Sequence, residues 1–140
     1  MRLGIRLLNT SASLNSFKQV SSIRLVKGET LDLVFQLVDL DQNGLRYIPP
    51  TGSTVEVTIP RSPVIEPSPF LNARETIDYS IVRQAIPAFS EDRSIWKLPL
   101  IETETVNMIS NSIRVVVTEG SIKKIAFHNG AIQVIDGQDQ

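Results

Sequence analysis

At 140 residues the chain has the size of one domain, and a body of that size buries roughly 68–70% of its unfolded surface, enough for a core without disulfide or metal staples. Hydrophobic residues at 41% and charged residues at 21% exclude a disordered or membranous composition, and 14 Lys and Arg against 15 Asp and Glu leave a formal charge of -1, which excludes bulk nucleic-acid binding. With no Cys and 1 His, thiolate chemistry, disulfides, Cys-rich zinc sites and multi-His metal centres are excluded as well.

The first segment, residues 1–19, is expected to be an arm or leading strand. Arg6 interrupts the short apolar start, so no classical signal peptide is expected, and the sequon Asn9-Thr10-Ser11 is then an accidental match. Every charge before Glu29 is positive: Arg2, Arg6, Lys18, Arg24 and Lys27. Such a segment suits a transit peptide, an arm docking on an acidic neighbour, or a solvated tail, and in each case it is expected to stay out of the core.

Residues 20–135 alternate with a period of two, which predicts a β domain. Ile23 and Leu25 alternate with Arg24 and Val26 up to a turn at Lys27-Gly28-Glu29. Leu31, Leu33, Phe35 and Leu37 then take one face while Asp32, Val34, Gln36 and Val38 take the other. Asn43-Gly44 predicts a tight turn, because both residues tolerate positive φ. Val55, Val57 and Ile59 form the next strand, ending at Pro60. From Pro60 to Pro69 four prolines remove backbone donors, predicting a surface loop with no strand through it. Ile77, Tyr79 and Ile81 resume the alternation, Ser90 to Arg93 turns the chain, and Ile95 to Leu100 is a strand containing Trp96.

Glu102 to Ile109 is the one helical stretch expected, about two turns, with acidic residues where the helix dipole favours them. Three apolar runs follow. Ser112 to Thr118, Ser121 to Phe127 and Ala131 to Ile135 are separated by turn signals at Glu119-Gly120 and Asn129-Gly130. About eight strands and one short helix predict an all-β, antiparallel sandwich of two sheets, and residues 136–140 a polar tail.

Chemistry-bearing patterns are few. Asp39-Leu40-Asp41-Gln42-Asn43-Gly44 opens like a calcium loop, making Asp39, Asp41 and Asn43 candidate ligands, but Pro50 stands where the bidentate acid belongs and the flanks predict strands. A polar inter-strand turn is the expected reading. His128 lies before a turn signal with no G-x-S-x-G elbow in the chain, so a triad is not expected. Glu102 and Glu104 are two apart and point away from each other on a helix, which suits helix entry better than acid–base cooperation. Trp96, Tyr47 and Tyr79 are candidate stacking surfaces, with Trp96 expected in the core or on a sheet; Lys123 and Lys124 should face opposite ways. No P-loop or dinucleotide fingerprint is present, and neither cofactor nor catalytic residues are expected.

Gly28-Glu29-Thr30, the strand Leu31 to Asp39, the Asp39 to Gly44 turn and Thr51-Gly52-Ser53-Thr54-Val55-Glu56-Val57 together resemble the opening of the N-terminal domain of phage baseplate upper proteins. Ile95 to Leu100, Glu102 to Ile109, Ile113 to Thr118 and Ser121 to Phe127 resemble its second half, so the likeness spans residues 20 to 135. The resemblance implies an immunoglobulin-like sandwich that anchors tail, baseplate or receptor-binding parts to a virion, without catalytic residues. It departs from that pattern in ending at residue 140, so no receptor-binding head is expected, and in Asn111, which stands where a Gly is common but also tolerates the left-handed conformation.

The expectation is therefore a non-enzymatic virion protein of the tail, baseplate, neck or capsid, assembled in the host cytoplasm. Its partners would be other virion proteins in multiple copies or further copies of itself, with neither nucleic acid nor membrane among them. Contacts are expected from the N-terminal segment (Arg2, Arg6, Lys18) and from the proline loop (Pro63, Pro67, Pro69, Phe70), neither of which is expected in the core. The alternative is a glycan- or host-surface-binding adhesion module, which needs exposed rings beside Asp41 and Asn43.

Overall fold

The computed structural model describes residues 1–9, 18–59, 64–67, 74–77, 80–105, 108 and 111–135. Along the chain come β1 (Leu3–Leu7), β2 (Ile23–Val26), β3 (Leu31–Asp39), β4 (Leu45–Arg46), β5 (Thr54–Ile59), β6 (Val64–Pro67) and β7 (Arg74–Ile77). Then follow β8 (Ile81–Gln84), β9 (Ile86–Pro87), β10 (Ile95–Leu100), the single helical turn α1 (Glu102–Thr105), β11 (Asn111–Glu119) and β12 (Ile122–Ile135). The first sheet runs β1-β3-β10-β9, with β4 pairing the end of β3; the second runs β2-β12-β11-β5-β8; β6 and β7 pair as a separate ribbon.

This is an all-β sandwich, mainly antiparallel. Its core lies where the alternation puts it. Leu33, Phe35 and Leu37 of β3, with Trp96, Leu98 and Leu100 of β10, face Val55, Val57 and Ile59 of β5 and Ile113, Val115 and Val117 of β11. Phe35 sits at the centre of the first sheet, paired with Leu7 on one side and Trp96 on the other, and is 0% exposed.

Four expectations need correction. The N-terminal segment is not outside the core: β1 pairs in register with β3 from Leu3↔Asp39 to Leu7↔Phe35, and Leu3, Leu7 and Leu8 are buried. The run of cations masked an ordinary alternation, in which Leu3, Ile5 and Leu7 face inward while Arg6 lies opposite Gln36. After β1 the chain changes sheets, and β2 pairs with β12 in parallel, Ile23↔Ile132 to Val26↔Ile135.

The proline-rich stretch is not a bare loop, since Val64–Pro67 pairs with Arg74–Ile77. A two-stranded ribbon tolerates Pro67 at its end. Asn129-Gly130 is not a turn. Gly130 has φ 64, and the partner register jumps from Ile113↔His128 to Asn111↔Ile132, so the pair forms a bulge inside one 14-residue strand. The bend lets β12 serve β11 with its first part and β2 with its last. Finally, the described helix is one turn, Glu102–Thr105; the expected remainder includes residues 106, 107 and 109, which lie outside the described residues.

The outer face of the first sheet is covered by its own loop. Leu8, Val34 and Ile95 are buried there with Ala88 and Phe89 against them. Beside this patch runs a polar chain: Arg6 donates to Gln36 (3.2 Å) and to the Gly44 carbonyl (3.0 Å), Gln36 donates to the buried Ser94 hydroxyl (3.0 Å), and Ser94 donates to Asp92 (2.5 Å). Arg46 closes it with an ion pair to Asp92 at 3.5 Å.

Candidate functional site

A compact polar cluster sits at one end of the sandwich, where the chain following β4 meets the β11–β12 turn. Glu119 and Lys124 lie on the inward-facing rows of β11 and β12, following Val117 and Ala126 respectively, with Lys124 opposite Val117, and Tyr47 packs on the core edge. Tyr47 donates its hydroxyl to the Glu119 carboxylate, whose Oε2 lies 2.9 Å away. Lys124 Nζ donates to the Tyr47 oxygen at 2.8 Å, pairs with Glu119 Oε2 at 2.8 Å, and stands 4.8 Å from the centre of the Tyr47 ring.

Burial first, and the Glu119 acceptor second, push the Tyr47 phenol above its ordinary value. Burial alone would raise Glu119, but hydrogen bonds from Lys124 and Tyr47 outweigh it and hold the carboxyl below its usual range. The hydrogen bonds to Glu119 and then to Tyr47 raise Lys124. Catalytic acids and bases are tuned toward the working pH, whereas all three of these groups move away from neutrality. A neutral phenol, a carboxylate and an ammonium persist across a wide pH range, which is how a tie between two sheets behaves.

Glu119→Ala is expected to cost about 2 kcal/mol, between the ~0.2–1 of an exposed pair and the ~3–5 of a buried one, because Glu119 is 9% exposed while Lys124, at 26%, still reaches water. The pH dependence has two arms. The lowered Glu119 adds stability that is present above the ordinary carboxylate range and lost as pH falls through its folded value. The raised Tyr47 and Lys124 add stability that is present below about pH 10 and lost as pH rises through theirs. Urea melts should therefore show a wild-type minus Glu119→Ala gap that is flat from about pH 5 to about pH 9 and shrinks on both sides. A gap that grows in acid would contradict the assignment.

The candidate calcium residues form the β3–β4 turn. Asp39 Oδ1 accepts from the Asp41 backbone N–H at 3.0 Å, capping a 3-10 turn over Leu40–Gln42, and Asn43 closes it in the left-handed region at φ 58. The Asp41 carboxylate lies 3.5 Å from the terminal ammonium. Both carboxylates thus point at chain groups, and no three His, Cys, Asp or Glu side chains among the described residues converge as metal ligands do.

His128 is partly exposed, with Nδ1 3.1 Å from the Asn129 carbonyl. Glu104 works at the helix entry: it accepts from the Ile101 N–H at 3.1 Å and pairs with Arg83 at 2.7 Å, while Thr105 donates to the Glu29 carbonyl at 2.7 Å and ties the turn to the loop before β3. Trp96 is a core residue at 8% exposure.

The expected contact residues that are described do not form one patch. Arg2 is exposed just before β1, and its carbonyl accepts from Leu40; Arg6 is held by Gln36 and Gly44; Lys18 lies beyond the other end of β1, its backbone N–H bonded to Asn9. Pro67 ends β6 opposite Arg74, and Pro63, Pro69 and Phe70 lie outside the described residues, as does Tyr79. Sequence reading missed the Tyr47–Glu119–Lys124 cluster. Its one visible signal was that Glu119 and Lys124, five apart across a Gly120 turn, stand two positions from the apolar Val117 and Ala126 in the alternation of their strands. No protein-family model matches the chain, and no curated protein matches it significantly.

Proposed function

We propose that the chain is a non-enzymatic structural protein of a tailed-phage virion, a docking module of its tail, baseplate, neck or capsid that acts by shape and exposed rims. The observation that carries this reading is the course of residues 20–135. The segments that resemble the baseplate upper protein N-terminal domain fall on β3, the Asp39–Gly44 turn, β5, β10, α1, β11 and β12, in one sandwich. The polar clusters support it from the other side, since each is spent on holding strands or turns together.

Docking of this kind joins other virion proteins through exposed loops and sheet edges, and repetition in a particle makes modest contacts sufficient. The proposal places the protein in the virion, assembled in the host cytoplasm, with no cofactor, nucleic acid or membrane as partner.

The adhesion alternative requires free aromatic faces near Asp41 and Asn43. Trp96 is buried and the Tyr47 ring already carries Lys124, which favours the assembly reading. A glycan array separates the two: the assembly reading expects no binding by the isolated protein and its presence in density-gradient-purified particles by immunoblot. Glycan binding by a protein absent from particles would replace it.

A further inference from the structure

Strand β12 carries an open edge along its first half. On the side away from β11 it pairs with β2, but only from Ile132 to Ile135, beyond the Gly130 bulge. From Ile122 to His128 no described strand bonds to that side; β1 lies close by in the other sheet and pairs with β3. The hairpin decides which backbone groups are left over. Glu119 and Ile122 flank the two-residue turn Gly120-Ser121, and a pair in that position exchanges both backbone bonds, as does every second pair beyond it. Ile122, Lys124, Ala126 and His128 therefore bond to β11, while Lys123, Ile125 and Phe127 turn their N–H and C=O groups to the open side. Such a row of alternating donors and acceptors is matched by another extended backbone.

Side chains at the same residues say which extended backbone fits. Lys123, Ile125 and Phe127 lie on the outer face of the second sheet, where Ile125 and Phe127 are 45% and 67% exposed. Arg114 stands opposite Phe127, and Arg24 of β2 shares that face, because Ile23 and Leu25 on either side of it point into the core. These three cations make no ion pair with a described residue, and the described strands place one acid on the face, Glu56 opposite Val116. The face is thus cationic on a chain whose formal charge is -1. A second copy would bring its own Lys123, Arg114 and Arg24 to the seam and set cation beside cation. An acidic strand instead lays carboxylates along the outer face within reach of Lys123 and Arg114, and turns its alternate side chains inward beside Ala126. A lysine on an open edge also discourages chance pairing with purely apolar strands.

We infer that the open edge of β12 takes up an extended acidic segment of another protein, which joins the second sheet as a strand beside Lys123, Ile125 and Phe127. The inference rests on the docking reading for the kind of event and adds the edge used and the chemistry of the partner.

Titration of the full isotope-labelled chain with two blocked peptides of about eight residues, one alternating Glu and Val and the other Lys and Val, tests it by nuclear magnetic resonance. The Glu peptide is expected to bind at low salt with a Kd of roughly 10 to 500 μM and to be released as salt rises, and the Lys peptide not to bind. Amide exchange should slow at Lys123, Ile125 and Phe127 but not at Lys124 and Ala126, a pattern that loose adherence to surface charge would not give. Lys123→Glu should weaken binding about tenfold or more. Ile125→Pro removes a donor that faces away from β11, which an edge strand tolerates, so it should weaken binding as much while circular dichroism stays unchanged. Val82→Ala, on β8 at the far side of the sheet, should alter neither. No binding up to about 1 mM, equal binding of both peptides, or slowed exchange away from this edge overturns the inference. Peptide binding by a protein absent from particles would leave the edge standing and defeat the virion reading; presence in particles without peptide binding would do the reverse.

Discussion

Phe35→Ala is expected to destabilise the protein by about 3–5 kcal/mol, the range for removing a fully buried aromatic ring from a core that cannot collapse around the void. The reason is position. Phe35 is 0% exposed in the middle of β3, between Leu7 and Trp96, so both neighbouring strands and the opposite sheet lose contacts at once. Small domains hold only about 5–15 kcal/mol in total, so the variant should melt at markedly lower urea with an unchanged slope. A change under about 1 kcal/mol would mean that the two sheets do not pack on this ring.

Leu7→Asp is expected to cost about 4 kcal/mol or more, and to leave much of the chain unfolded at room temperature. An unpaired carboxylate would replace a side chain that is 0% exposed, with no cation placed to receive it. This substitution separates two pictures of the N-terminal segment. If residues 1–9 were a free arm, Leu7→Asp would leave far-UV circular dichroism and the melt unchanged. Because β1 is an edge strand of the first sheet, both should change, whereas Arg2→Ala, at an exposed position just before it, should alter neither.

The contrast between these two residues shows where sequence reading works. The strand holding Phe35 is legible because Leu31, Leu33, Phe35 and Leu37 take every second position over the first seven of its nine residues. The strand holding Leu7 carries the same period over five residues, but its two Arg neighbours and the polar segment after it outweigh the pattern when charge is weighed first. The Asn43-Gly44 turn was legible because two adjacent positive φ angles leave few alternatives. Asn129-Gly130 has the same letters and a different outcome, since a positive φ at one Gly also fits a bulge, and only the pairing of β12 with both β11 and β2 decides between them.

The candidate site was less legible than the fold. Tyr47, Glu119 and Lys124 lie far apart or across a turn in the chain, and what brings them together is the stagger of two sheets, which has no local signature. By contrast, the predicted contact residues Arg2, Arg6 and Lys18 were chosen by charge, and the strand register then dispersed them along both ends of β1.

The claim on which the rest depends is that the protein does its work as a fixed part of a phage particle. Electron cryomicroscopy of particles purified from the phage proposed to encode it tests this most directly. The account predicts density into which the two five-stranded sheets fit at a repeated position on the tail, baseplate, neck or capsid. Complete particles in which neither that density nor peptides of this chain are found would contradict it.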